Sequence, residues 1–255
     1  MSADAKAGRG PGAEELRRLH DVPPGDLPLV LPGPWDAATA RVFEEAGFPA
    51  LATPSAGIAA VLGYADGHTP ADEMFAAVTR IVRAVSVPVT ADLEDGYGLP
   101  ARELVARTVE SGAVGLNLED SERGTHDLRD PREQAERIAA VREAAGPSLF
   151  VNARVDTYLR GGTADEAAER ARLYVAAGAD CVFPILAPPE DLPRLRAAGV
   201  EGPLNFLARP GDPSHAELGR LGATRITFGH GLHARALRGV AELARQLATA
   251  RPVTA

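Results

Sequence analysis

Short apolar runs alternate with longer amphipathic segments along almost the whole chain. The runs at 27–31, 50–53, 87–91, 114–118, 149–153, 181–185, 204–207 and 225–228 have the length of buried strands. Between them, 37–46, 71–85, 101–111, 131–145, 164–177, 190–198, 214–221 and 232–248 are rich in Ala, Leu, Arg and Glu and read as helices. Single strands separated by helices pair in parallel through crossovers. Glycine closes the helices at Gly47, Gly112, Gly178, Gly199 and Gly222, where the left-handed C-cap conformation is wanted. Eight strands and eight helices in 255 residues predict an α/β fold, the (β/α)8 TIM-type barrel. A doubly wound sheet is the main competitor, weakened by the absence of a GxGxxG turn after the first strand. Residues 1–20, rich in Gly and Ala at their start, read as a disordered leader, and 21–255 as a single barrel domain.

Two of the strands run straight into acids. Val87-Pro88-Val89-Thr90-Ala91 leads to Asp92, Glu94 and Asp95, and the strand through Leu118 leads to Glu119 and Asp120. Like charges at strand ends repel unless a cation sits among them, and oxygen ligands suit Mg²⁺. Acids that cap helices or sit in solvated loops are the alternative. In a barrel the chemistry collects at the C-terminal strand ends. There the sequence also places Ser55, Arg154 with Asp156, and His230, and Asn205 lies within the seventh strand. A metal beside a fixed cation is what a small carboxylate or phosphonate needs.

The net charge of −8 argues against a nucleic-acid partner. No apolar run reaches the length of a membrane span, so no membrane partner is expected. The start of the chain lacks the apolar stretch of a signal peptide, and the lone Cys181 cannot form an internal disulfide, so a cytoplasmic location is expected. Lys6 is the only lysine, and it lies in the leader. A Schiff base needs a positioned lysine amine, and arginine cannot replace it.

The motifs Leu62-Gly63-Tyr64-Ala65-Asp66, the run from Val87 to Gly98, Gly115 to Ser121, Val151 to Asp156, Ala177 to Pro184 and Gly202 to Leu207 fall in one order along most of the chain. With these the chain resembles the isocitrate lyase and phosphoenolpyruvate mutase superfamily. The resemblance implies a barrel whose last helix is exchanged between subunits of a homodimer or homotetramer. It also implies one Mg²⁺ (with Mn²⁺ the alternative) held by Asp92, Glu94 and Glu119, Glu94 standing where the family usually has Asp. Arg154 aligns with the substrate-clamping arginine, and the turn Ala56-Gly57-Ile58 with backbone amides that hold a carboxylate. Asp66 matches a second acid near the site, and Ser55 and Asn205 complete the expected substrate contacts.

Breaking a carbon–carbon bond next to a carbonyl or carboxylate leaves a carbanion that needs an electron sink. Without a usable lysine, a metal-stabilised enolate is the sink that remains. The loop after the fourth strand, 121–131, departs from the family: it has neither the lyases' Cys nor the mutases' Lys. His126 is its one obvious acid/base group, with an ordinary pKa suited to proton transfer near neutrality. After the sixth strand Ile185 replaces a polar residue of the family. The expectation is a Mg²⁺-dependent enzyme acting on a small 2-oxo or 2-hydroxy carboxylate, with Arg154 and His126 catalytic and C–C cleavage preferred. The alternatives are C–P bond chemistry, or a pseudoenzyme that binds a 2-oxo dicarboxylate without transforming it.

Overall fold

In the computed structural model, residues 12–125 and 127–249 are described. The strands are β1 (Leu29–Val30), β2 (Leu51–Ala52), β3 (Val89–Asp92), β4 (Gly115–Glu119), β5 (Phe150–Val155), β6 (Cys181–Pro184), β7 (Asn205–Leu207) and β8 (Arg225–Thr227). The helices are α1 (Ala13–Leu19), α2 (Ala37–Glu45), α3 (Ser55–Leu62), α4 (Ala71–Val82), α5 (Ala101–Glu110), α6 (Pro131–Ala145), α7 (Ala164–Ala176), α8 (Leu192–Ala197), α9 (His215–Arg220) and α10 (Gly231–Thr249). All pairings between these strands are parallel, β2 to β6 in one run and β1, β8 and β7 in another. Two seams join the runs. Val182 N–H donates to the Pro203 carbonyl at 3.1 Å, and Ala52 N–H to that of Pro32 at 3.1 Å. The eight strands thus close in chain order as a (β/α)8 barrel, as the periodicity predicts.

Helices α4 to α7 lay their apolar faces on the sheet. Met74, Val78 and Ile81 of α4, Leu104 of α5 and Ile138 of α6 are fully or almost fully buried against strand residues such as Leu116, Leu118, Val151 and Ala153. The α7 face is built from Ala167, Ala168, Ala171 and Tyr174. Small side chains let this helix sit close to β5 and β6, and Tyr174 with Arg170 carries polar groups inward to Asp120.

Two elements depart from the expectation. The leader over 1–20 was expected to lack structure, yet Ala13–Leu19 is a helix that closes the N-terminal end of the barrel. Its Leu16 is buried with Phe150 and Cys181. Arg17 donates to Asp180 Oδ1 at 2.9 Å and to the Leu149 carbonyl at 2.6 Å. His20 stacks on Phe150 with ring centroids 4.1 Å apart. Burial, with Arg225 beside it, pushes the His20 pKa down to about 3, so the ring is neutral. The second departure is α3, where the sequence predicts a turn after the second strand.

Helix α10 leaves the barrel. His233 at its start is its only buried residue, and Leu237, Val240, Leu243 and Leu247 are all exposed. No described helix is long and apolar enough to cross a membrane.

Candidate active site

Just beyond β3 the backbone enters a conformation that side chains avoid. Glu94 has φ +52° and Tyr97 has φ +59°. Non-glycine residues there cost roughly 1 kcal/mol or more, and such strain clusters at functional sites. The turn is held from several sides. Glu119 N–H donates to the Glu94 carbonyl at 3.0 Å, and Tyr97 N–H to Asp95 Oδ1 at 2.9 Å. Arg137 donates to the Asp95 carbonyl at 2.6 Å, and the Arg123 guanidinium lies 4.9 Å from the centre of the Tyr97 ring. The result turns Glu94 to the same side as Asp92 and buries it.

Glu94 borders a cavity of about 220 Å³ at the C-terminal ends of the strands, lined also by Ser55, Asp66, Gly67, Glu119, Ser121, Arg154, Asp156, Leu159 and Arg160, and Asp92 lies just behind it, bonded to Ser55 of the lining. A larger groove of about 840 Å³ runs between α5 and α6, but its ionisable residues, Arg102, Glu110 and Glu143, are all exposed. The cavity is where buried charge gathers.

Asp92 ends β3. Its Oδ2 accepts from Ser55 Oγ at 2.8 Å and Ser55 N–H at 3.3 Å. Asp92 Oδ1 and Glu94 Oε1 are buried and, among the described residues, have no hydrogen-bond partner. Burial and the neighbouring Asp92 charge push the Glu94 pKa up to about 7. Two anionic oxygens left bare in this way are costly unless a cation or proton joins them. That observation fits a divalent metal held by Asp92 and Glu94.

Glu119, expected as the third ligand, sits differently. Its Oε2 is 2.5 Å from Arg154 Nη1, its neighbour in the β4–β5 register. Burial pushes its carboxyl up, while Arg154 opposes the shift. Among the described residues no group of three His, Cys, Asp or Glu side chains is arranged to hold a metal ion. The expected ligands are therefore a bare pair, Asp92 and Glu94, with Glu119 paired to arginine beside them.

Arg154 is anchored from two sides and keeps one N–H on each Nη without a partner among the described residues. Besides Glu119 it donates from Nε to Asp156 Oδ1 at 2.6 Å and from Nη2 to Asp156 Oδ2 at 3.1 Å. Against the effect of burial, Asp156 and Glu119 hold the guanidinium charged. Behind this pair lies a relay that the sequence does not announce. Ser121 Oγ donates to Asp156 Oδ2 at 2.6 Å, and Asp156 N–H to Asp120 Oδ1 at 2.8 Å. Asp120 Oδ2 accepts from Tyr174 at 2.7 Å and Arg170 at 3.1 Å. Asp120 therefore faces α7 and supports Arg154 from behind. Asp95, which follows Glu94 in the same acidic run, also points away and accepts from Arg129 at 3.3 Å.

The remaining expected contacts divide. Ser55 lines the cavity, and Asp66 stands exposed at its mouth. Ala56, Gly57 and Ile58 form the first turn of α3 rather than a free turn. Ile58 N–H is already spent on the Pro54 carbonyl at 3.1 Å, which leaves Ala56 and Gly57 as the amides to meet a carboxylate. Asn205 does not line the cavity; it is buried in the barrel, accepting from Thr227 Oγ1 at 3.1 Å. His126 lies outside the described residues. The loop around it is closed by an antiparallel bridge between Ser121 and Leu128. Arg123 ties it to the carbonyls of Gly67 at 3.0 Å and Thr69 at 2.8 Å. Cys181 is buried at the other end of β6, and burial pushes its thiol up to about 12, in keeping with a core residue. Trp35 packs edge-on against His233, ring centroids 5.0 Å apart.

Residues 16–248 match the family model described as phosphoenolpyruvate phosphomutase. The chain belongs to this family. An uncharacterized protein of Mycobacterium tuberculosis is 34% identical over 230 residues, covering 89% of this chain and 87% of that one. The 2-methylisocitrate lyase of Bacillus subtilis is 32% identical over 182 residues, 68% of this chain and 59% of the lyase. The crystal structure of 2,3-dimethylmalate lyase, a member of the phosphoenolpyruvate mutase and isocitrate lyase superfamily, superposes with a TM-score of 0.83 at 30% identity, covering 93% of this chain and 88% of that one. Family membership agrees with the barrel and places this protein among lyases and mutases.

Proposed function

We propose that this protein is a Mg²⁺-dependent lyase that breaks a carbon–carbon bond in a small 2-oxo or 2-hydroxy carboxylate. The observation that carries the reading is the pair of bare, buried carboxylate oxygens on Asp92 and Glu94 next to the Arg154 guanidinium. Asp92 and Glu94 hold the metal, with Glu119 beside them; Mn²⁺ is the other ion such oxygens accept. When bound, the ion supplies positive charge opposite the negative charge that develops on the substrate as the bond breaks.

The protein's own groups do the rest. Ser55 fixes Asp92 by two hydrogen bonds, so the acid does not rotate away. The Ala56 and Gly57 amides at the start of α3 orient the substrate carboxylate. Arg154, locked by Glu119 and Asp156, presents a fixed positive charge to the reacting region without reorganising. The loop from Ser121 excludes water, and His126 on it supplies the proton to the carbanion carbon. The chain works in the cytoplasm as a homodimer or homotetramer whose α10 helices are exchanged. The family description favours a second reading, rearrangement or hydrolysis at a C–P bond, at the same site.

NMR of a panel of 2-oxo acids, malate-type acids and phosphonopyruvate with Mg²⁺ tests the reading. Cleavage of a C–C bond, lost in EDTA and in Asp92→Ala, supports it. Turnover of phosphonopyruvate alone selects the C–P reading, and turnover that survives EDTA rejects the metal assignment. Mg²⁺-dependent binding with no product across the panel identifies a pseudoenzyme. In an active enzyme, His126→Asn should lower kcat on the order of 10²-fold or more while binding of Mg²⁺–oxalate persists. Equal loss of both rejects His126 as proton donor.

A further inference from the structure

Among the described residues, every arginine around the cavity has a side-chain partner except one. Arg154 is paired with Glu119 and Asp156, Arg123 with the Gly67 and Thr69 carbonyls, Arg129 with Asp95 and Glu122, and Arg170 with Asp120. Arg160 lines the cavity, is exposed, and makes no hydrogen bond or ion pair among the described residues. Its position is fixed by backbone. It ends a short 3₁₀ turn, Thr157–Arg160, whose N-cap is Asp156, the partner of Arg154. Gly161, at φ +74°, reverses the chain there, and a Cβ on Gly162 would meet Thr157 Cγ2 at 2.5 Å. This close packing holds the backbone of the turn, and with it the Cα of Arg160, at the cavity.

The charge of the lining gives this residue a task. Asp66, Glu94, Glu119 and Asp156 contribute acids, and only Arg154 and Arg160 oppose them. Arg154 is half-buried and Arg160 exposed, and both line the one cavity. A substrate with a second anionic group has in Arg160 a cation of the same cavity that no acid among the described residues holds. An uncharged tail would find no partner there, and a free guanidinium at a rim is the strongest reader of carboxylate or phosphonate available.

We infer that Arg160 recognises a second anionic group on the substrate and so makes the protein selective for dianionic acids over monocarboxylates; this rests on the carboxylate-binding function proposed above. Arg160 is a specificity residue, distinct from the groups that meet the reacting atoms. The hollow on its other side contains Glu166 and Glu169. Glu166 is occupied by the Thr163 N–H at 2.7 Å and hydroxyl at 3.0 Å, which leaves Glu169 as the competing partner.

Calorimetric titration with Mg²⁺ and three stable probes tests this. Malate and 2-hydroxybutanoate differ by a carboxylate in place of a methyl group, and oxalate has no distal group. The wild-type protein should bind malate about tenfold more tightly than 2-hydroxybutanoate, the scale of one charge-assisted contact. Arg160→Gln should erase that gap, Arg160→Lys should keep part of it, and oxalate binding should stay unchanged in both. The gap should narrow as salt is raised, because the contact is exposed. If Arg160→Gln leaves the gap intact while oxalate still binds, the inference is wrong and the functional reading stands. A lowered melting temperature in Arg160→Gln with the gap intact also overturns the inference and assigns the side chain to Glu169. If wild-type protein fails to bind oxalate with Mg²⁺, both fall.

Discussion

Arg154 and Glu119 face each other as register partners across β4 and β5, with Nη1 and Oε2 2.5 Å apart at the wall of the cavity. Burial pushes the Glu119 carboxyl up, and the guanidinium opposes this. Arg154→Gln should therefore do two things at once: remove the fixed positive charge and push the Glu119 carboxyl further up. We expect a loss on the order of 10²–10³-fold in kcat/KM, the scale seen when a preorganised charge is removed. Arg154→Lys should not restore it, since an ammonium cannot span Glu119 and both oxygens of Asp156. Steady-state kinetics on the two variants decides this, and recovery by lysine would show that charge alone suffices.

The raised Glu94 pKa, about 7 against an ordinary 4.5, predicts an opposed pH dependence of stability with and without metal. Between those values the folded state holds a proton that the unfolded state has released. The metal-free protein should thus lose stability as pH rises from about 5 to 8, because the native state binds more protons there. Added Mg²⁺ competes with that proton, so its stabilising effect should grow over the same interval. Melting curves in EDTA and in Mg²⁺ at about pH 5.5 and 8 would reveal it. A Mg²⁺ effect independent of pH would remove Glu94 from the metal site.

Tyr174 reaches from α7 to Asp120, which carries the backbone N–H of Asp156, which in turn carries Arg154. Tyr174→Phe removes two hydrogen bonds, the one donated to a buried carboxylate that keeps Arg170 and the one accepted from Arg170 at 3.2 Å. A loss of about 1–3 kcal/mol in stability is expected, measured by denaturant unfolding. Because Tyr174 touches nothing in the cavity lining, kcat should fall only a few-fold, and Mg²⁺–oxalate affinity should hold.

The exposed side chains Leu237, Val240, Leu243 and Leu247 recur along one side of α10. An apolar stripe on a helix that leaves its own barrel calls for a cover. Val240→Asp with Leu243→Asp should shift the protein toward monomer in light scattering at fixed concentration. An unchanged mass would rule out this helix as the contact between copies.

Much of this was legible in the chain, for reasons that differ by element. The eight strands declare themselves because each is a short apolar run ahead of a polar strand end, and most follow a helix-closing glycine, as at Gly112 before β4 and Gly178 before β6. Helix α3 was not legible: only Thr53 and Pro54 separate it from β2, and its apolar composition gives no helical face. Helix α1 was hidden by the Gly- and Ala-rich residues before it, although Leu16 and Leu19 hint at a packed side. At the site, Asp92, Glu94 and Arg154 could be named from strand ends alone. The separation of Glu119 from Asp120 could have been read as well, since adjacent strand residues point to opposite faces. The pairing of Arg154 with Glu119 could not, because it depends on which acid a folded barrel brings within reach.

The small helix at the start acts as a stopper. Leu16 and His20 sit on Phe150, and the Arg225 guanidinium is sealed beneath them. A version trimmed to begin at residue 21 would leave a greasy, positively charged hole in the base of the molecule. Such a version should clump and take up hydrophobic dye although every group around the substrate is intact, so damage at one mouth of the barrel would be mistaken for damage at the other.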